Sequence, residues 1–308
     1  MMKIKNSNME YSSKISVAIC TYNRAKYLVD SLKSLKNQNL NPDDFEIIIV
    51  DNNSSDATAE ISKIFINQNP GLNVSCYKEN RQGLSFARNK AITESKYDII
   101  TFIDDDAIAR EDFLANILSY FKDHSDADAL GGKVIPIYEN GIEEPQWLSK
   151  YLWGIVTKVD YGDEVKIFPA PKYPAGCNMS FRKEKLLEVG LFNTDLKIRG
   201  DDKDIFAKLN KIKAKVYYVP EVFVYHNVEE YRLTKSFIKK LSIIIGNSER
   251  VRLADKGLMP LILKLFEYLF KLVAGFIIAS SFIFKGQVEK AKYLIMVRWT
   301  ILKGLFVK

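Results

Sequence analysis

Cysteine is scarce in this chain and histidine scarcer: three of the first (Cys20, Cys76 and Cys177) and two of the second (His124 and His226) in 308 residues. The cysteines lie too far apart for a CxxC knuckle and, being odd in number, cannot all pair. That excludes a zinc ribbon and a disulfide scaffold, and favours a reducing compartment. Linkers rich in Gly, Pro or Ser are missing, and so are internal repeats. The opening MMKIKNSNMEYSSK has no apolar core of the kind a secretory signal needs, so a cytoplasmic location is expected. From Met259 onward the longest uncharged run, Leu272 to Phe284, is too short to span a bilayer comfortably.

What is present is enough for a large core. With 47% hydrophobic and 27% charged residues the chain is neither disordered nor low-complexity, and its length suits one α/β domain with a helical appendage. The net charge of +7 is unevenly spread: residues 1–231 carry about −4 and residues 232–308 about +11.

Short apolar, β-branched runs at Ile15 to Ile19, Phe45 to Val50 and Ile99 to Ile103 read as buried parallel strands, and Leu72 to Tyr77 as a further strand. Between them, Ala25 to Asn37 places Tyr27, Leu28, Leu32 and Leu35 at helical spacing. Further helical stretches begin near Asp56 and run from Ser85 to Ser95. Alternating strands and helices predict a mostly parallel sheet with helices on both faces. Ligands bind such sheets beyond the carboxyl ends of the strands. Three polar clusters fall there: Thr21-Tyr22-Asn23-Arg24, Asp51 to Asp56, and Asp104-Asp105-Asp106.

Three consecutive carboxylates repel one another unless a cation or hydrogen-bond donors gather around them. Oxygen ligation suits Mg²⁺ or Mn²⁺, which complete their shells with substrate phosphates. An isolated DDD is more often a solvated helix cap, and its place after an apolar strand is what favours the metal. A second acidic cluster, Gly200-Asp201-Asp202-Lys203-Asp204, precedes the helical pattern of Ile205, Phe206 and Leu209, where N-capping is the plain alternative. Of the histidines, His124 sits in a polar surface context. His226 follows the strand-like Val222 to Tyr225, which would present it at a strand end as a metal ligand or phosphate donor.

From Met259 onward the chain is apolar and basic. Lys264, Glu267 and Lys271 fall near one face of a helix otherwise made of Leu, Phe, Tyr and Ile, the pattern of a helix lying in a membrane interface. Lys285, Lys290, Lys292, Arg298, Lys303 and Lys308 would then meet anionic head groups, at the inner face of the cell membrane. The bland reading is a helical hairpin packed on the domain or in a dimer.

Taken in order, TYNR (21–24), VDNNSSD (50–56), GLSFARN (83–89), FIDDDA (102–107), GCNMSFRKE (176–184), GDDKD (200–204) and YHN (225–227) strongly resemble the family 2 glycosyltransferases of GT-A fold, over about residues 14–250. The resemblance implies an inverting enzyme that moves a sugar from a nucleotide-diphosphate sugar, by default a UDP-sugar, to a glycan or lipid-linked hydroxyl in surface or extracellular polysaccharide synthesis. It implies a donor side of Thr21, Asn23, Arg24, Asp51, Asn53, Asp104 and Asp105, with Arg81 and Arg88 near the phosphates. Arg88 could equally be a helix residue salt-bridged to an acid. Asp106 and His226 would hold Mg²⁺ or Mn²⁺. Asp202 takes the place of the family's catalytic base, and Gly176, Asn178 and Asp201 lie on the acceptor side, Asp201 standing where the family usually has Glu. The expected divisions are a polar segment 1–13, a transferase domain 14–250 (donor half 14–110, acceptor half 111–250) and a membrane-associating tail 251–308.

Competing readings make their own demands. A nucleotidyltransferase on a similar sheet would need a glycine-rich basic loop after the first strand, where this chain has CTYNRAKYL. A non-catalytic membrane scaffold would lack either the base or the metal cluster. A nucleic-acid binder would show an aromatic stacking platform, and none is evident.

Overall fold

The computed structural model describes residues 14–168, 171–196, 200–254 and 257–307. The expected segment 1–13 and Lys308 lie outside them.

The core begins with β1 (Ile15–Thr21), whose Ile15, Val17, Ala18 and Ile19 are fully buried, flanked in parallel by β2 (Phe45–Asp51) and β4 (Ile99–Asp104). Outside β2 lies β3 (Val74–Lys78), also parallel. The continuous apolar runs follow from burial on both faces by α1 (Ala25–Lys36), α2 (Thr58–Gln68) and α3 (Leu84–Glu94). Leu28, Leu32 and Leu35 of α1 are fully buried, as their spacing predicts. Truncating any one of them to Ala typically costs about 2–5 kcal/mol.

The parallel order ends at β4. There β9 (Met179–Arg182) pairs antiparallel with both β4 and β6 (Ala129–Gly131). Beyond β6 come β10 (Val216–Tyr218), parallel to it, and the antiparallel edge β8 (Lys166–Ile167). The eight-stranded order is β3-β2-β1-β4-β9-β6-β10-β8. Helices α4 (Phe113–Asp123), α5 (Lys183–Glu188) and α6 (Asp201–Lys211) fill the second half, and His124 caps α4, its ring stacked on Tyr120.

A second, three-stranded sheet has no counterpart in the sequence expectations: β5 (Ala107–Ala109), β11 (Val224–Val228) and β7 (Val134–Tyr138) in the order β5-β11-β7. It corrects the placement of His226, which lies in the middle of β11 rather than at a strand end. Val222 and Val219 close a buried turn through a 3.0 Å backbone hydrogen bond, so the strand starts only at Val224.

The tail forms α7 (Lys235–Ala254), α8 (Leu258–Phe284) and α9 (Val288–Gly304). Residue 250 lies inside α7, so the helical unit begins ahead of the expected division. Leu294 and Val297 of α9 join Ile238 and Leu241 of α7 and Trp147, Leu148 and Leu152 in one apolar cluster, which fixes the helices to the domain. Among the described residues no helix is long and apolar enough to cross a membrane.

Candidate active site

Strand register assembles the first part of the site. Thr21 pairs with Asp51 and Cys20 with Asp104, so the ends of three adjacent strands present their polar residues side by side. The chain then turns from β4 into β5, and β11 pairs with β5 so that His226 faces Ala107, while Asn227 donates its N–H to the Asp106 carbonyl at 2.9 Å. That pairing brings His226 Nε2 to 3.2 Å from Asp106 Oδ1.

Arg24, at the start of α1, places Nη2 2.5 Å from Asp106 Oδ2, Nε 3.5 Å from Asp105 and Nη1 3.2 Å from Glu229. Arg232 adds a second cation 3.7 Å from Asp106. The consequences for charge differ along the trio. Burial, reinforced by the Asp106 charge, pushes the Asp105 carboxyl up to about 7. Burial also raises Asp104, against the pull of Arg88. Asp106 is lowered, because His226 and the two arginines outweigh its burial.

On the far side, α6 starts at Gly200, whose φ of 98° is the left-handed region that glycine occupies without strain. Asp201, Asp202 and Asp204 thus fall in the first helical turn, where the helix dipole favours carboxylates. Asp201 is buried and ion-paired with the buried Arg88 of α3, which also donates to the Gly176 carbonyl at 3.1 Å and lies 3.6 Å from Asp104. Gly176 is needed for this: a Cβ there would stand 2.8 Å from Arg88 Nη2. Arg88 is thereby the salt-bridged helix residue of the two alternatives. Asp201, expected to touch the acceptor, is engaged by it.

Arg24, Arg88, Asp104, Asp106, Gly176, Asp201, Asp202 and His226 all border one cavity of about 1140 Å³. Other expected residues are placed elsewhere. Asn178 is fully buried and gives its amide hydrogens to the Lys133 and Val222 carbonyls, so it builds the wall. Thr21 and Asp51 are buried at the strand ends, Asp51 accepting the Ser54 N–H. Asn23 and Asn53 are exposed with positive φ, and Asn23 Oδ1 accepts from the Ser55 N–H. Arg81 folds onto Glu79 and over the Phe86 ring.

Sequence reasoning missed Arg232, Glu229 and Asn52. Asn52, buried, ties the strand ends to the segment before α3 through the Glu79 and Arg81 carbonyls and the Gly83 N–H. Its position in the VDNNSSD cluster was the available signal. Arg232 and Glu229 had none, since their partners lie in β5's approach and at Arg24.

The donor set fits a divalent cation. Asp104, Cys177 and His226 offer ligand atoms within 4.8 Å of one another, with Asp106 on the same imidazole. Carboxylate oxygens and an imidazole suit Mn²⁺ or Mg²⁺. Cys177 is a wall: burial holds its thiol well above the ordinary range, hence protonated.

Asp104 and Asp106 at the strand ends thus share one cavity with Asp202 of α6 on a GT-A-type sheet, and the chain matches the glycosyl transferase family 2 model over residues 16–190. It belongs to that family, as an enzyme of glycan synthesis. It is 26% identical over 256 residues to the glucosyl-dolichyl phosphate glucuronosyltransferase of Haloferax volcanii, covering 77% of each chain. It is 31% identical to the Staphylococcus aureus poly(ribitol-phosphate) β-N-acetylglucosaminyltransferase TarS over 44% of this chain, but spans only 23% of that protein. Among solved structures, the Pyrobaculum calidifontis mannosyltransferase PcManGT in complex with GDP-Man and Mn²⁺ superposes with a TM-score of 0.64 at 18% identity, over 95% of this chain and 88% of that one. The likeness confirms the expected GT-A fold.

Proposed function

We propose that the protein transfers a sugar from a nucleotide-diphosphate sugar, by default a UDP-sugar, to a hydroxyl of a glycan or lipid-linked acceptor, with inversion at the anomeric carbon. The observation that carries this is the shared cavity, bordered by Asp104, Asp106 and His226 together with Asp202. Residues 14–110 supply the donor half and 111–250 the acceptor half. Arg24, Asp104 and Asp105 take the donor's phosphate and sugar side. Thr21, Asp51, Asn23 and Asn53 form the nucleoside edge, with Arg81 beyond it. Asp106, His226 and Asp104 would hold Mg²⁺ or Mn²⁺, which spreads the negative charge developing on the departing diphosphate. Asp202 accepts the proton of the attacking hydroxyl as the new glycosidic bond forms, and a single displacement inverts the centre. Arg88 and Asp201 hold the two sides in register. The H. volcanii relative's name, a transferase onto glucosyl-dolichyl phosphate, supports a lipid-linked acceptor.

The test is a melting-temperature screen of nucleotide diphosphates and nucleotide sugars with and without Mn²⁺. A ligand at about 100 times its Kd adds about 2.7 kcal/mol, or about 4 °C for a chain of this size. One nucleotide class should do so, and only with the metal; no shift from any of them would end the donor assignment.

The tail fits the surface of an anionic membrane at the cytoplasmic face. The side of α8 turned from α7 and α9 exposes Met259, Leu263, Phe266, Phe270, Val273 and Ile277 at three- and four-residue steps, and Phe284 beyond them. Lys285, Lys290 and Lys292 follow at its end. The intact protein is expected to sediment with phosphatidylglycerol vesicles and less with phosphatidylcholine. Phe270→Glu should weaken that partition about tenfold or more, since a buried Phe contributes about 1.5–3 kcal/mol. Equal partition of the variant would remove α8 from the contact.

A further inference from the structure

A second, smaller space of about 270 Å³ lies between the start of α6 and the tail helices. Tyr151, Gly154, Tyr173 and Asp202 border both it and the main cavity, so the proposed base stands at the junction. Its far walls are apolar, with Leu152, Ile155, Ile245, Val297 and Ile301, and beside them stands Arg298 of α9.

The charged groups lining this space are Asp202, Lys203, Glu249 and Arg298. Glu249 is already met by Lys203, Arg252 and Lys264. Arg298 is half-buried, its stem passing beside Gly275, where a Cβ would lie 3.7 Å from Cγ. Among the described residues no carboxylate or carbonyl pairs with its guanidinium. Burial of that charge pulls its pKa down. Its one titratable neighbour among the described residues is the Tyr268 phenol, which is neutral at pH 7; an arginine kept partly desolvated without a carboxylate is costly unless something anionic meets it, and a guanidinium fork matches phosphate oxygens two at a time.

We propose that this space is an acceptor subsite in which Arg298 binds a phosphate group of the acceptor, with an apolar chain lying along Leu152, Ile155, Val297 and Ile301, so that the acceptor is a phosphate-bearing amphiphile. The inference rests on the glycosyltransferase reading only in calling the ligand an acceptor. The anion site itself is testable apart from it.

The probe is hexyl phosphate below its micellar concentration, titrated calorimetrically into the full-length protein with and without UDP and Mn²⁺. Saturable binding is expected, undisturbed by the nucleotide, at least tenfold weaker in Arg298→Gln and partly restored in Arg298→Lys, with hexanol binding far less. Both variants should keep the wild-type melting temperature to within a few degrees. Equal affinity in wild type and Arg298→Gln, displacement by UDP, or no binding at all would overturn the subsite. Inorganic phosphate binding as tightly as hexyl phosphate would overturn its apolar half. If hexyl phosphate behaves as expected while no nucleotide sugar binds, the anion site stands and the transferase reading falls; the reverse result removes the subsite alone.

Discussion

Asp202→Asn lowers sugar transfer by about 10²–10⁴-fold and leaves nucleotide-sugar affinity within about twofold, which is the expected signature of losing a general base. The substitution is nearly isosteric. In the wild type Oδ1 of Asp202 accepts the Lys203 N–H at 2.7 Å, and an amide oxygen can do the same, so the first turn of α6 keeps its geometry. What the amide cannot do is take up a proton at neutral pH. Its neighbour cannot stand in: the Asp201 carboxylate is held in a buried ion pair with Arg88. The two aspartates therefore separate experimentally. Asp201→Asn leaves the Arg88 charge buried beside a neutral amide, and its damage should appear as lost stability as well as lost rate. Calorimetric donor affinity with single-turnover rates on the Asp202 variant decides the matter; turnover within tenfold of wild type would remove Asp202 from proton transfer.

How much of this could be read from the residues alone depends on how local each signal is. Strands β1, β2 and β4 are short, mainly apolar, β-branched runs ending in polar clusters, and α1 has an uninterrupted buried stripe, so period and composition were sufficient. The small sheet was not legible. Ala107–Ala109 is three residues of little propensity, held as a strand only because β11 pairs with it across more than a hundred residues of sequence. The site divides the same way. The DDD and GDDKD clusters were visible as motifs, and the ordered resemblance assigned them roles. The contacts that hold them are long-range ion pairs, Arg88 with Asp201 and Arg24 with Glu229, and no local pattern records such a partner. Asn178 shows the opposite failure: a polar residue inside a motif that the fold uses as internal bracing. In the tail, apolar and basic composition was plain, but not the packing of α9 against α7 that turns Leu294 and Val297 inward.

That packing places a buried carboxylate where α6 meets the tail, and Glu249→Gln is expected to destabilise the protein by about 2–3 kcal/mol at pH 7, or about 3–5 °C in melting temperature. The Glu249 side chain is 6% exposed and joins three helices: Oε1 is 2.8 Å from Lys203 of α6, and Oε2 is 3.0 Å from Arg252 of α7 and 3.5 Å from Lys264 of α8. A neutral amide leaves three cations facing one another. Removing one partner of a buried pair typically costs about 3–5 kcal/mol. The lower figure applies here because burial pulls the Lys203 ammonium down even beside Glu249, so part of the pair's gain is returned. The sign with pH follows from the carboxyl itself. Burial opposes its ionisation but is outweighed by the Arg252 hydrogen bond and the Lys203 charge, which bring it down from 4.5 to about 2. A depressed carboxyl contributes fully above its unfolded value and loses that contribution as pH falls toward the folded one. The difference in melting temperature between wild type and Glu249→Gln should thus be constant from pH 7 to about 5, then shrink as pH drops toward 3. Since Lys203 directly follows Asp202, the transfer rate should fall with the same variant at pH 7. A stability gap that persisted undiminished at pH 3 would show that the charge of Glu249 is not what ties α6 to the tail helices.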